Sequence, residues 1–277
     1  MRPSLLVVLG ILLLCLSTAT AQSTQAPTVA TTPFAIGETH TFQSTILSEE
    51  RKLNVYLPAS YHPDSAATYP VIYLLDGSRD EDFIHVAGLV QFLSFSWINI
   101  VPESIVVGIA NVDRKRDFTS PSNNEKDNEF LPTNGGAGAF TRFLADEVQP
   151  LIKKTYNVSE ERTLIGQSAG GLFATETLFI EPDLFDHYFI VSPSLWWNDE
   201  SLLGADPVSL ENVKSVHVAV GAEGDEMERV ARELHVKLMA RKPETMKLSF
   251  DYLPEKTHGD VLHAALLEGF ERVFGKK

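Results

Sequence analysis

The chain predicts an α/β fold, with a mostly parallel central sheet and helices on both faces. Three observations point there. Short, continuous apolar runs suit strands buried on both sides. Longer stretches carry apolar residues at helical spacing. The two kinds alternate from Thr39 to the end of the chain, as repeated strand–helix–strand units require.

In order, "TFQSTIL" (Thr41–Leu47) and "LNVYLP" (Leu53–Pro58), with Glu49–Glu50–Arg51 between them, read as an antiparallel hairpin at a sheet edge. The buried-strand runs are Val71–Leu75, Ser104–Ala110, Thr163–Gly166, Tyr188–Ser192, Val216–Gly221 and Leu248–Leu253. Helical patterns start at Ile84, Gly138, Gly171, Met227 and Val261. The Gly138 pattern is read as one helix, with Phe140, Phe143, Leu144, Val148, Leu151 and Ile152 on its apolar face. In such sheets chemistry sits beyond the carboxyl ends of the strands. The loops after Leu75, Ala110, Gly166, Ser192, Gly221 and Leu253 are therefore where functional residues are expected.

Before the sheet, Arg2, the apolar run Leu5–Leu16 and the small-x-small pattern Ala19–Thr20–Ala21 form a secretory signal, residues 1–21, cleaved before Gln22. The run is short for a bilayer span, so no stable membrane insertion is expected after cleavage. Residues 22–36, rich in Thr, Ala, Ser and Gln, read as a flexible leader. Residues 37–277 then form a single domain. The only cysteine, Cys15, lies in the signal, so the exported domain has neither disulfides nor thiol chemistry. Loss of Arg2 leaves 22 basic residues against 37 acidic, a net charge of −15. That argues against nucleic acid and anionic membrane as partners. The expected location is the periplasm or the outside of the cell.

"RTLIGQSAGG" (Arg162–Gly171) places Gly166-x-Ser168-x-Gly170 directly after a strand and before a helix. This is the setting of a nucleophile elbow, where a tight turn lifts the serine Oγ above the sheet. The flanking glycines let strand and helix approach. The Ala169 N–H, at the helix N-terminus, is the first expected oxyanion donor. The lysine of a phosphate loop is absent.

A base and an acid should follow the serine in chain order. His187 and His217 fall in or beside strands, and His235 and His263 on helices. His258 lies in the polar loop "PEKTHGD", from which it can reach across the sheet to Ser168. Glu223, just past the strand ending at Gly221, is the preferred acid. Asp225 is the alternative, unless it caps the following helix, and a Ser–His dyad without an acid remains open. The second oxyanion N–H should come from Gly77 or Ser78 in "LLDGSRDEDF", with Asp76 shaping that loop. His85, close to the same loop, is a further residue for the pocket.

Several motifs carry a family resemblance: "YPVIYLLDG", "RKRDFTSP" (Arg114–Pro121), "GGAGAFTRFLADEVQPLIKKTY", "RTLIGQSAGGLFA", "FDHYFIVSPSLWW" (Phe185–Trp197) and "HGDV" (His258–Val261). Over about residues 37–274 the chain resembles the esterase D-type esterases. These are α/β-hydrolases that include the ferric-siderophore esterases of the enterobactin and bacillibactin kind. The resemblance implies an α/β-hydrolase fold and a serine carboxylesterase. It supports Ser168 as nucleophile and His258 as base, and puts the acid in the loop after Gly221. It implies that Arg114, Arg116, Trp196 and Trp197 lie near the substrate.

The expected reaction is acyl transfer through a serine ester on a small or aryl ester. No cofactor is needed, and the histidine spacings suggest no metal site. A periplasmic ferric-siderophore esterase and a feruloyl or acetyl esterase are alternative activities. An inactive binding protein of the same fold is the non-enzyme alternative.

Overall fold

The computed structural model describes residues 29–275. The expected signal and the first part of the leader lie outside the described residues. Val29–Gly37 form neither helix nor strand and are exposed, and the chain from Ala35 onward forms one compact unit.

Eight strands make one sheet: β1 (Glu38–Ser44), β2 (Glu49–Tyr56), β3 (Tyr69–Leu74), β4 (Ile105–Ile109), β5 (Val158–Gln167), β6 (His187–Val191), β7 (Ser215–Gly221) and β8 (Lys247–Leu253). Their spatial order is β1-β2-β4-β3-β5-β6-β7-β8. β1 and β2 pair antiparallel, as do β2 and β4, and every other pair is parallel. The helices are α1 (Phe83–Ser94), α2 (Arg114–Asp117), α3 (Glu125–Phe130), α4 (Ala137–Phe143), α5 (Gln149–Thr155), α6 (Ala169–Ile180), α7 (Trp197–Gly204), α8 (Asp225–Met239) and α9 (Val261–Phe274).

Alternation along the strands builds two cores. On β3, Val71, Tyr73 and the following Leu75 face one side, while Ile72 and Leu74 face the other. β6 divides in the same way, Tyr188 and Ile190 against Phe189 and Val191. Successive side chains of a strand point to opposite faces, so a continuous apolar run is stable only when both are covered. Helices α4, α5, α6 and α8 cover one face, and α1 and α9 the other.

Two expectations need correction. The hairpin turn is Thr45–Ser48, and Glu49–Arg51 belong to β2. Glu147 holds the turn, accepting from the Thr45 and Ile46 N–H groups at 2.7 and 3.1 Å. Arg51 is buried inside β2 because Asp117 lies 2.7 Å away. The helix expected from Gly138 is interrupted by a wide π-helical turn at Leu144–Val148. Pro150, in the first turn of α5, lacks the N–H that a continuous ladder would use.

Candidate active site

The parallel strands bring the ends of β5, β6 and β7 to one edge, and the residue after β5 is Ser168. Its backbone stands at φ 60° and ψ −121°, a combination L residues rarely adopt. Three backbone hydrogen bonds hold it there. Its N–H donates to the Val191 carbonyl at 3.0 Å, and its own carbonyl accepts from Leu172 at 2.9 Å and Ser194 at 3.1 Å. The glycines share the load unequally. A Cβ on Gly166 would sit 2.3 Å from the Gly170 oxygen, and one on Gly171 would sit 2.9 Å from the Val191 oxygen. On Gly170 it would meet nothing closer than 3.4 Å, so Gly166 and Gly171, not Gly170, are the positions without room for a side chain.

His258, in the loop between β8 and α9, reaches the same edge. The Gln167 side-chain amide donates to the His258 carbonyl at 2.6 Å, tying that loop to the elbow. His258 Nδ1 is hydrogen-bonded to Glu223 Oε2. A carboxylate only accepts, so Nδ1 carries the proton and Nε2 is left as the basic nitrogen. Glu223 Oε1 accepts from Ser192 Oγ at 2.5 Å and from the Gly221 N–H at 2.9 Å. Burial pushes the Glu223 carboxyl up, but these bonds from His258, Ser192 and Gly221 outweigh it and hold it below the usual range. Its side chain is 2 % exposed, against 47 % for His258. Asp225 is exposed and is the first residue of α8, with Gly224 rather than Asp225 at the cap position. The structure therefore brings Glu223, and not Asp225, to His258. Ser168 Oγ lies 3.4 Å from Ser194 Oγ, and no direct hydrogen bond joins it to His258.

Ser168, Ala169, Glu223 and His258 all line one cavity of about 520 Å³. Its walls are mostly apolar: Phe130, Leu131, Leu172, Trp196, Trp197 and Met227, with Arg114 and Lys115 as cations. Trp197 is buried and donates its indole N–H to the Ser120 carbonyl at 2.9 Å, while Trp196 is half-buried against Phe130. Among the described residues, the Ala169 N–H, first in α6, has no hydrogen-bond partner.

Four sequence expectations are displaced. The Gly77 N–H donates to the Ile109 carbonyl at 3.0 Å and cannot also meet an oxyanion. The Ser78 N–H faces Glu81 at 3.3 Å, and neither residue lines the cavity. Arg116 is held outside the cavity by Glu49 at 2.6 Å and Asp117 at 2.7 Å. His85 bonds Asp82 at 3.0 Å and faces His263 of α9, also outside the cavity.

Arg114 does line the cavity. Its Nε and Nη2 meet Asp76 at 2.6 and 2.9 Å, and Nη2 reaches the Gln167 carbonyl at 3.3 Å. Nη1 has no hydrogen-bond partner among the described residues. Burial works against the Arg114 charge, and Asp76 more than restores it. Asp76 therefore grips Arg114 and Asn111, rather than merely shaping its own loop. Sequence reading missed Ser192, Ser194 and Gln167. The first two stand in "SPS", directly after a strand end, and that position was the available signal.

Comparisons with known proteins give the family and the fold. Residues 44–260 match the Esterase family model, described as "Putative esterase". The chain belongs to that esterase family. It is similar to the ferri-bacillibactin esterase BesA of Bacillus subtilis, with 29% identity over 83% of this chain and 87% of that protein. Among solved structures it is similar to an IroE-like serine hydrolase from Shewanella oneidensis, at TM-score 0.77 and 30% identity over 86% and 80% of the two chains. It is also similar to the BES protein of Bacillus cereus, at TM-score 0.75 and 27% identity over 90% and 98%. The fold is that of the α/β-hydrolases, and the chain is an ester-hydrolysing enzyme.

Proposed function

We propose that Ser168, His258 and Glu223 form the catalytic triad of a serine carboxylesterase acting on a small or aryl ester. One observation carries this reading: the Glu223–His258 pair opens onto the same cavity as a serine in a strained elbow. Glu223 orients His258 and favours its charged form during the reaction. His258 Nε2 takes the Ser168 proton as Oγ bonds to the ester carbon. The carbonyl oxygen becomes an oxyanion, held by the Ala169 N–H and by Arg114 Nη1, because the Gly77 and Ser78 N–H groups face Ile109 and Glu81 instead. His258 then protonates the leaving alcohol, and water activated by the same histidine releases the acid. The proton transfer requires the Ser168 hydroxyl to leave Ser194 and turn to His258.

The test is hydrolysis of p-nitrophenyl acetate, butyrate and octanoate by the unmodified chain and by Ser168→Ala. Loss of activity in the variant is expected. Undiminished activity there would overturn the assignment, and inactivity of the unmodified chain on every ester would favour a binding protein.

A second reading, cleavage of an ester-linked ferric siderophore, is favoured by Arg114 and Lys115 at an aromatic-walled cavity and by the substrate named for the Bacillus subtilis relative. The net charge of −14 for the whole chain opposes attraction of an anionic chelate. Higher kcat/KM on a ferric tris-catecholate trilactone than on p-nitrophenyl butyrate would select this reading. The protein is proposed to be exported to the periplasm or beyond, with Gln22 as its mature first residue. Terminal sequencing of the exported protein checks this, and a retained Met1 would refute it.

A further inference from the structure

One wall of the cavity rests on an unusual backbone. Asn198, Asp199 and Glu200, none of them glycine, have consecutive left-handed φ angles of 51°, 51° and 58° at the start of α7. In that region Cβ crowds the following carbonyl oxygen, so such residues normally occur singly. A run of three persists only if its surroundings hold it.

All three are held, each by a different contact. Asn198 Oδ1 accepts from the Asn123 N–H at 2.8 Å, and its own N–H donates to Asp127 Oδ2 at 2.7 Å. Asp199 accepts from the Asn124 side chain at 2.7 Å. Glu200 receives two bonds from Arg229, at 2.5 and 3.0 Å. Asn123, Asn124 and Asp127 lead into and form α3, which ends at Phe130 on the cavity wall. Arg229 belongs to α8, whose Met227 also lines the cavity. The turn itself follows Trp196 and Trp197 directly. A right-handed turn would fan these side chains in the opposite sense, away from the partners they meet.

We propose that Asn198–Glu200 is a strained latch that fixes the Phe130 edge of α3 against Trp196 and so determines which ester groups the cavity holds. Asp127 and Asn198 are its positioning residues, and neither touches the reacting atoms. This rests on the esterase reading of Ser168. Asp127 is buried, and one oxygen, Oδ2, accepts both the Asn198 N–H and Ser122 Oγ at 2.7 Å. Without it, the body of α3 loses its own bond to the turn, and those of Asn123 and Asn124, ahead of the helix, remain. Phe130, 66 % exposed, then has little beyond the Trp196 ring, 6.2 Å away between centroids, to set its place. Small acyl groups use the Ser168 end of the cavity. Larger ones depend on the latched walls, so loosening should remove binding of large groups while sparing the chemical step.

The experiment compares full-length Asp127→Ala with Asp127→Asn, which keeps an oxygen able to accept both bonds. Two readouts are taken: kcat and KM on p-nitrophenyl acetate, benzoate and octanoate, and amide hydrogen exchange across residues 122–131. In Asp127→Ala, KM for benzoate and octanoate should rise about tenfold, with kcat and KM for acetate within about twofold. Exchange across 122–131 should accelerate, and Asp127→Asn should restore both. Equal losses on all three esters, or faster exchange with unchanged KM, would overturn the proposal. If Asp127→Ala does not fold, Asn198→Gly keeps the left-handed backbone accessible, removes the Oδ1 that accepts from Asn123 together with the Nδ2 bond to Ser201, and should move the same readouts in the same direction. If the unmodified chain hydrolyses no ester, the esterase reading fails separately. Faster exchange in Asp127→Ala would then still support the latch, and unchanged exchange would overturn it.

Discussion

The two ends of the sheet carry the same three residue types in different settings. At the carboxyl ends, Ser168 and the bonded pair His258–Glu223 share a cavity. At the amino ends, His187 bonds Ser215 Oγ at 2.7 Å and Glu161 at 2.8 Å. On hydrogen bonds alone the second set is the more complete, because its serine is already bonded to its histidine. It nevertheless lacks what the chemistry requires. Ser215 is 1 % exposed, lies within regular strand, and spends its N–H on the Asp186 carbonyl. Ser168 has a strained turn, an open cavity and a neighbouring unpartnered N–H. A serine, a histidine and a glutamate thus make a site only where the backbone presents the hydroxyl to a substrate and a donor waits for the oxyanion.

The sharpest way to break this contrast is to remove one member at each end. His258→Ala should lower kcat by about 10⁴-fold, measured on p-nitrophenyl butyrate. His187→Ala should leave the rate of folded protein within about twofold and appear instead as lower stability, because it leaves Ser215 Oγ buried without its partner. Equal losses of rate would erase the distinction. A step smaller, Glu223→Gln should cost about 10²-fold or more in kcat, since an amide cannot favour the charged imidazole. Asp225→Ala should stay within about twofold in the same assay.

The amino-end and interior histidines make a different prediction, in pH. Burial lowers His187, and burial in the core pushes His217 down to about 4 from an ordinary 6.5. Between those values the unfolded chain binds a proton that folded His217 refuses. Stability should therefore be full above about pH 6.5 and fall as pH drops toward 4. Urea midpoints at pH 7.5, 6.0 and 5.0 measure the slope, and His217→Gln should flatten it. The smallest effect belongs to Ser215→Ala. It removes one buried hydrogen bond and should cost about 1 kcal/mol in urea unfolding, with no change in kcat.

The strands of the sheet were legible because each is an apolar run buried on both faces, and that pattern is local. Ser168 was legible because its glycines, strand and helix are neighbours in sequence. His258 and Glu223 followed from the order in which parallel strands deliver their loops. What escaped depends on distant partners. Arg51 reads as a turn residue until Asp117, 66 positions away, is seen to neutralise it. Gly77 reads as a free donor until β4 claims its N–H through Ile109. Arg114 and Arg116 look equivalent in "RKRD", yet Asp76 turns one into the cavity while Glu49 and Asp117 hold the other out of it. The left-handed turn after Trp197 has no glycine to announce it, because hydrogen bonds from α3 and α8 sustain it.

The central claim is that Ser168, alone among the serines, forms a covalent ester with substrate. Mixing the enzyme with excess p-nitrophenyl butyrate, quenching in acid within milliseconds and mapping peptides by mass tests it directly. The expected result is one butyryl group per chain, on the peptide containing Ser168, and none on the peptide containing Ser215. A butyryl group on any other residue, or steady turnover by Ser168→Ala, would contradict it.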